Sequence, residues 1–164
     1  MTPPTWQITP LRAEHSLGVA RCHIACWREA YPGIVPAHVL AAFDPHRAAQ
    51  RWERLAMTDP GNTRIATIDT EVIGFAEVGV PRERHTRPPR ELRAIYVRAS
   101  RYGSGLADEL LDAVLSPTTP CALWVFEENH RARAFYRRHG FVPDGRRRVE
   151  SFTTATEIRM VRHP

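Results

Sequence analysis

The chain has no apolar run of the ~18 residues that a membrane span needs. Its opening, "MTPPTWQITPLR", has no basic start followed by an apolar block, so no secretory signal is expected. Cysteine is scarce and odd in number: Cys22, Cys26 and Cys121 share no zinc spacing. That argues against a disulfide framework and fits a reducing compartment, so the expected location is the cytoplasm. The eight histidines show no ligand spacing, and no metal is expected. Internal repeats and low-complexity tracts are also missing, which leaves the 164 residues as one domain, 1–164, with a core of ordinary size.

Charge excludes less. The formal net charge of +5 is carried by arginine and favours an anionic ligand such as a phosphate, a nucleotide or a nucleic acid. Arginines spread over solvated faces would give the same sum. A nucleic-acid partner is not expected, since no basic helix suited to a groove and no known binding module is visible.

The hydrophobic pattern is informative. Leu17, Ala20, Ile24, Trp27 and Tyr31 recur at helical spacing within 13–31, and Pro32-Gly33 ends the segment. A short helix is expected over 37–43. A third follows Asp44 as N-cap with Pro45 in its first turn, burying Ala48, Trp52 and Leu55. "TRIATID" and "EVIGFAEVGV" read as a hairpin turning at Asp69-Thr70, and "ELRAIYV" as a third strand beyond a charged, proline-broken loop. Then come a glycine turn, a helix over 104–115, an apolar run "CALWVFE" with the character of a buried parallel strand, and a helix "NHRARAFYRRHG" capped by Asn129. Two strands near 141–151 and 154–161 complete a mixed α/β domain.

The turn "YGSGLA" between a strand and a helix can seat an anion. Unpaired N–H groups and the helix dipole meet there, and glycines let a ligand approach the backbone. Neither a GK[ST] loop nor a third dinucleotide-binding glycine is present, because Asp108 stands at the latter position. In context, "ELRAIYVRASRYGSGLADELL" followed by "LWVFEENHRARAFYRRHGFVPDG" resembles the GNAT superfamily of acyl-CoA-dependent N-acyltransferases. Gly105 and Ala107 match its Gln/Arg-x-x-Gly-x-Gly/Ala loop. Tyr102 departs from the expected Gln or Arg, with Arg101 one place earlier as a partial replacement. Asn129, Ala132, Phe135, Tyr136, Gly140 and Phe141 fall at the spacing of its second block.

The resemblance implies a strongly twisted central sheet, mostly antiparallel, with one parallel pair at a coenzyme cleft and helices on both faces. It implies acetyl-CoA as co-substrate and a primary amine of a small molecule or a peptide as acceptor. The diphosphate would rest on the N–H groups of Tyr102, Gly103, Ser104, Gly105, Leu106 and Ala107, and the pantetheine arm would pair with Ile95, Tyr96 and Val97. Asn129, besides capping its helix, would reach that arm. Arg131 and Arg133 could meet phosphates, whereas the "GRRRVE" run reads as a solvated face. Tyr136 is implied as proton donor to the departing thiolate.

Glu91 and Glu77 are candidate bases, direct or through a water, though each is equally readable as a strand-end charge. Trp27 and Tyr31 either wall the acceptor pocket or belong to the core of their helix. The Leu92–Ile95 spacing breaks strict alternation, so either a bulge near 94–96 or a strand buried on both faces is expected. The competing function is a catalytically weak domain that senses acyl-CoA, for which Tyr102 speaks. Exposed edges of a half-open sheet suit pairing of two copies.

Overall fold

The structure, a computed structural model, describes residues 5–164. Its strands are β1 (Gln7–Pro10), β2 (Thr63–Ile68), β3 (Glu71–Gly79), β4 (Glu91–Val97), β5 (Cys121–Phe126), β6 (Val142–Val149) and β7 (Thr156–Arg162). Its helices are α1 (Ser16–Ala30), α2 (Ala37–Ala41), α3 (Pro45–Thr58), α4 (Leu106–Val114) and α5 (His130–Arg138). The strands form one sheet in the order β1-β2-β3-β4-β5-β7-β6, antiparallel throughout except between β4 and β5. No helix among the described residues is long and apolar enough to cross a membrane.

The apolar residues of β3 face both ways, so helices cover both faces. Val72 and Phe75 pack with Val19, Cys22 and Cys26 of α1 and Trp52 of α3. Ile73 and Ala76 pack with Leu106 and Leu110 of α4. Between α4 and α5, Leu111, Leu123, Tyr136 and Phe141 form a second core on that same side. Trp52 and Phe75 are wholly buried, 5.1 Å apart edge to face. Truncating either to alanine would cost about 3–5 kcal/mol. α3 starts as its sequence demands: the Asp44 carboxylate accepts the His46 N–H at 2.9 Å, and Pro45 opens the helix.

Three expectations need adjusting. The apolar run of β5 meets β4 in parallel only at Glu91↔Ala122, but pairs antiparallel with β7 along Cys121–Phe126. Burial on both faces, not parallel pairing, accounts for its composition. The bulge of β4 exists, but earlier than 94–96: Glu77 faces Ala94 while Val78 faces Leu92, so Arg93 is the extra residue. That insertion puts Leu92 and Ile95, three apart, on one face against the α4–α5 core. Finally, α4 starts at Leu106 rather than Ser104, because Gly105 at its N-cap has φ +88°.

A bulge increases local twist. Beyond Ala122, β5 follows β7 and leaves β4, and the gap between the two strands is where a cavity forms.

Candidate active site

The glycine turn leaves β4 through a short helical turn, Ala99–Arg101. Glu29 of α1 fixes its start: one carboxylate oxygen accepts the Ala99 N–H at 2.8 Å and the other the Arg98 Nε at 2.9 Å. Gly103 and Gly105 have φ of +75° and +88°, a conformation that costs an L-residue about 1–2 kcal/mol. A Cβ at either would meet nothing within 4 Å, so conformation and not crowding calls for glycine. Ser104 braces the turn, its hydroxyl donating to the Arg101 carbonyl at 2.6 Å and accepting the Leu106 N–H at 3.3 Å. The N–H of Tyr102 goes to the Ala99 carbonyl and that of Ser104 to the Arg101 carbonyl. Those of Gly103, Gly105 and Ala107 meet no acceptor among the described residues. Of the six residues expected to offer N–H groups, these alternate three are left to a ligand. The Leu106 side chain is core.

A cavity of about 320 Å³ reaches from Tyr102 and Ala107, at the two ends of this turn, through the β4–β5 gap to the side chains of α1 and α3. The Arg98 N–H donates to the Ile73 carbonyl at 3.0 Å, which sets the phase of the β3–β4 ladder. By alternation, the backbone groups of Tyr96 point to β3, and those of Ile95 and Val97 point into the gap. Across the gap, Asn129 caps α5 by accepting the Ala132 N–H at 3.2 Å, leaving its amide nitrogen to the cavity it lines. Tyr136 also lines the cavity with only 9% of its surface exposed, and burial pushes its phenol above the usual tyrosine range. It therefore stays protonated at neutral pH and can donate.

Arg131 lies over the Tyr102 ring, its guanidinium carbon 3.5 Å from the centroid, and faces the cavity. Arg133 is turned away, donating to the Glu127 carbonyl at 2.7 Å, where it ties α5 to the end of β5. Of the two, Arg131 is the one placed for a ligand.

On the far side, both candidate bases reach the cavity in different settings. The Glu77 carboxylate receives Arg51 Nη2 at 2.9 Å on each oxygen, with Arg93 Nη1 at 3.5 Å. Glu91 is equally buried, but its nearest cation, Arg82, stands 4.0 Å away. Burial pushes its carboxyl above the usual range, and Arg82 only partly opposes this. Trp27 is half-buried and lines the cavity, while Tyr31 is both lining and core, against Val35, Leu40 and Phe126. The side chain of Tyr96 stands on this side as well, its hydroxyl 3.1 Å from that of Tyr31.

His23 was not legible as a site residue. Its ring lies 5.1–6.0 Å from Trp27, Trp52, Phe75 and Tyr96, and it lines the cavity. Burial, then Arg51 and Arg82, push it down to about 4, so it is a neutral imidazole. The only trace in the sequence is its place one turn before Trp27 on the same helix. Arg93 was equally hidden, because a bulge residue has no periodicity to betray it. The Cys22 and Cys26 sulfurs lie 3.9 Å apart in the core, as one helical turn requires, and Cys26 is pushed far up, first by its bond with Cys22 and then by burial. Among the described residues, no three His, Cys, Asp or Glu side chains converge as a metal site.

Comparison with known proteins agrees with this architecture. Over 133 residues the chain is 28% identical to a probable N-acetyltransferase of Mycobacterium tuberculosis, covering 78% of this chain and 75% of that one. An uncharacterized N-acetyltransferase of the same species is 27% identical over 122 residues, 71% and 75% of the two chains. The crystal structure of PaiA N-acetyltransferase from Thermoplasma acidophilum, in complex with coenzyme A, superposes with a TM-score of 0.74 at 16% identity, covering 98% of this chain and 99% of that one. A GCN5-related N-acetyltransferase from Rhodopseudomonas palustris gives 0.72 at 18% identity, covering 100% and 99%. At such identities the likeness is one of fold. The family model for the Acetyltransferase (GNAT) family, however, matches residues 24–141, and the chain belongs to that family.

Proposed function

We propose that the protein transfers an acetyl group from acetyl-CoA to a primary amine bound with it at the same time. The observation that carries this reading is the single cavity joining the glycine turn, Tyr136 and Glu91 through the β4–β5 gap. A donor and an acceptor entering from opposite faces of the sheet would meet there.

Acetyl-CoA supplies an activated thioester, and its transfer to an amine makes an amide and frees a thiol. The protein's residues fit that group. The free N–H groups of Gly103, Gly105 and Ala107 at the start of α4 suit a diphosphate. Arg131, held flat on Tyr102, brings a guanidinium to the place where Tyr102 displaces the usual Gln or Arg. The backbone edges of Ile95 and Val97 suit an extended amide-bearing arm, with the Asn129 amide opposite. Tyr136 holds the proton that the departing sulfur needs.

The acceptor amine must lose a proton to attack. Glu91 is the better base of the two carboxylates. Both Glu77 oxygens are taken by Arg51, with Arg93 beside them, while Glu91 has no cation closer than 4.0 Å and burial raises its affinity for a proton. Glu77 then acts as the anchor that holds the bulge through Arg93.

Mass spectrometry of acetyl-CoA incubated with a panel of primary amines tests the reading, with acetylated product expected. Tyr136→Phe should lower the single-turnover rate about a hundredfold. An unchanged rate would remove Tyr136 from the proton transfer.

A further inference from the structure

Resting on the acetyltransferase reading, we propose that the acceptor is a monoamine with an aromatic body, carrying neither a carboxylate nor a second cation. The chemistry of the acceptor half of the cavity argues for this class.

Its walls are ring faces. Trp27 and Phe152 stand 5.8 Å apart, tilted by 36°, and Phe152 is 40% exposed at the rim. Tyr96 and Trp124 line the interior. The hydroxyls of Tyr31 and Tyr96 lie 3.1 Å apart, so one donates to the other and a single phenol O–H is left on this wall. His23 adds no charge, since burial keeps it neutral. Flat aromatic walls reward a flat apolar body through offset and edge contacts.

The ionic groups here are already matched to one another. Arg51 and Arg93 are held by Glu77. Arg148 is shared by Glu150 at 3.0 Å and Glu157 at 2.7 Å, and it stacks on Trp124 at 4.3 Å. An acceptor carboxylate would have to compete with Glu77 for Arg51 and Arg93. Its other choice is Arg82, the nearest cation to the buried Glu91, and drawing Arg82 away leaves that carboxylate with less compensation. A polyamine needs several free carboxylates, yet among the described residues lining this half Glu77, Glu150 and Glu157 each have an arginine at 2.9, 3.0 and 2.7 Å, whereas Arg82 stands 4.0 Å from Glu91. One amine beside Glu91 satisfies the site. The buried Glu91 carboxylate can then take the proton that the amine must lose.

The test compares kcat/KM for phenethylamine, phenylalanine and spermidine with acetyl-CoA. Phenethylamine and phenylalanine differ by one carboxylate, and spermidine supplies extra cations without a ring. Phenethylamine should lead both by about tenfold or more. Phe152→Ala removes a rim ring without touching the core. It should raise the KM for phenethylamine several-fold and leave the calorimetric Kd for acetyl-CoA unchanged. The proposal is overturned if phenylalanine or spermidine matches phenethylamine. It is equally overturned if none of the three is acetylated while acetyl-CoA binds, or if the Phe152→Ala variant keeps the wild-type KM. Failure to bind acetyl-CoA at all would instead remove the acetyltransferase reading itself, and this inference with it.

Discussion

The two halves of the cavity are built by different means. The half proposed for the coenzyme is mostly main chain: the glycine turn beside the cavity, two residues of one strand edge and one helix cap, all within 95–129. The half proposed for the acceptor is side chain, drawn from α1, α3, β3, β4, β5 and the β6–β7 connection. Backbone groups are the same in every sequence, so a coenzyme common to many proteins can be held by geometry alone. A particular acceptor has to be told from others by side-chain shape and charge. The half proposed to grip the shared group is local in the chain, and the half proposed to select is assembled from distant segments.

The largest expected effect sharpens this contrast. Glu91→Gln should lower acetyl transfer about a hundredfold and abolish the acidic limb of the pH–rate profile. Because burial raises the Glu91 pKa, activity in the wild type should climb with pH through a region above the usual carboxylate range. Glu77→Gln should keep that limb. Loss of the limb in Glu77→Gln and its survival in Glu91→Gln would reverse the assignment.

Next, Arg131→Ala should raise the KM for acetyl-CoA about tenfold, the usual order for one charge-assisted contact, and leave the KM for S-acetylpantetheine, which has no diphosphate, unchanged. An equal effect on both donors would show that Arg131 only supports the fold of α5.

His23 breaks the comparison from the other side, as an acceptor-half residue read through stability. Its folded pKa of about 4 lies below the ordinary 6.5. Between those values the unfolded chain binds the additional proton, so stability falls as pH drops through that window and is level above it. The slope is at most one proton, about 1.4 kcal/mol per pH unit. Urea midpoints of His23→Phe, compared with wild type across this range, should show a shallower decline on acidification.

The smallest effect is at Asp44→Ala, which removes the cap of the helix that carries Arg51 and Trp52. About 1 kcal/mol of stability should be lost in chemical denaturation, with the Kd for acetyl-CoA unaltered. A changed Kd would mean that the two halves are energetically linked.

The glycine turn and the Asn129 cap were readable because each depends on neighbours a few residues away: Gly105 needs only its own φ and Asn129 only the N–H three residues on. Tyr136 was singled out by the GNAT resemblance, and the structure puts it on the cavity wall. Glu77 and Glu91 were readable as candidates but not separable, since what distinguishes them is Arg51, 26 residues from Glu77 in the chain. The β4 bulge showed in the Leu92–Ile95 spacing, yet its position depends on pairing with β3. His23, Arg93 and the role of Arg131 over Tyr102 left no usable pattern.

The order of elements, the capped starts of α3 and α5 and the left-handed glycine turn were thus determined by the sequence itself, because caps, periodicity and left-handed glycines act over a single turn of chain. Which carboxylate lacks a close arginine, which arginine faces the cavity and which side chains wall its far side were decided only in the folded molecule. Burial and charge pairing belong to neighbours in space, and for these residues the neighbours lie on other strands and helices.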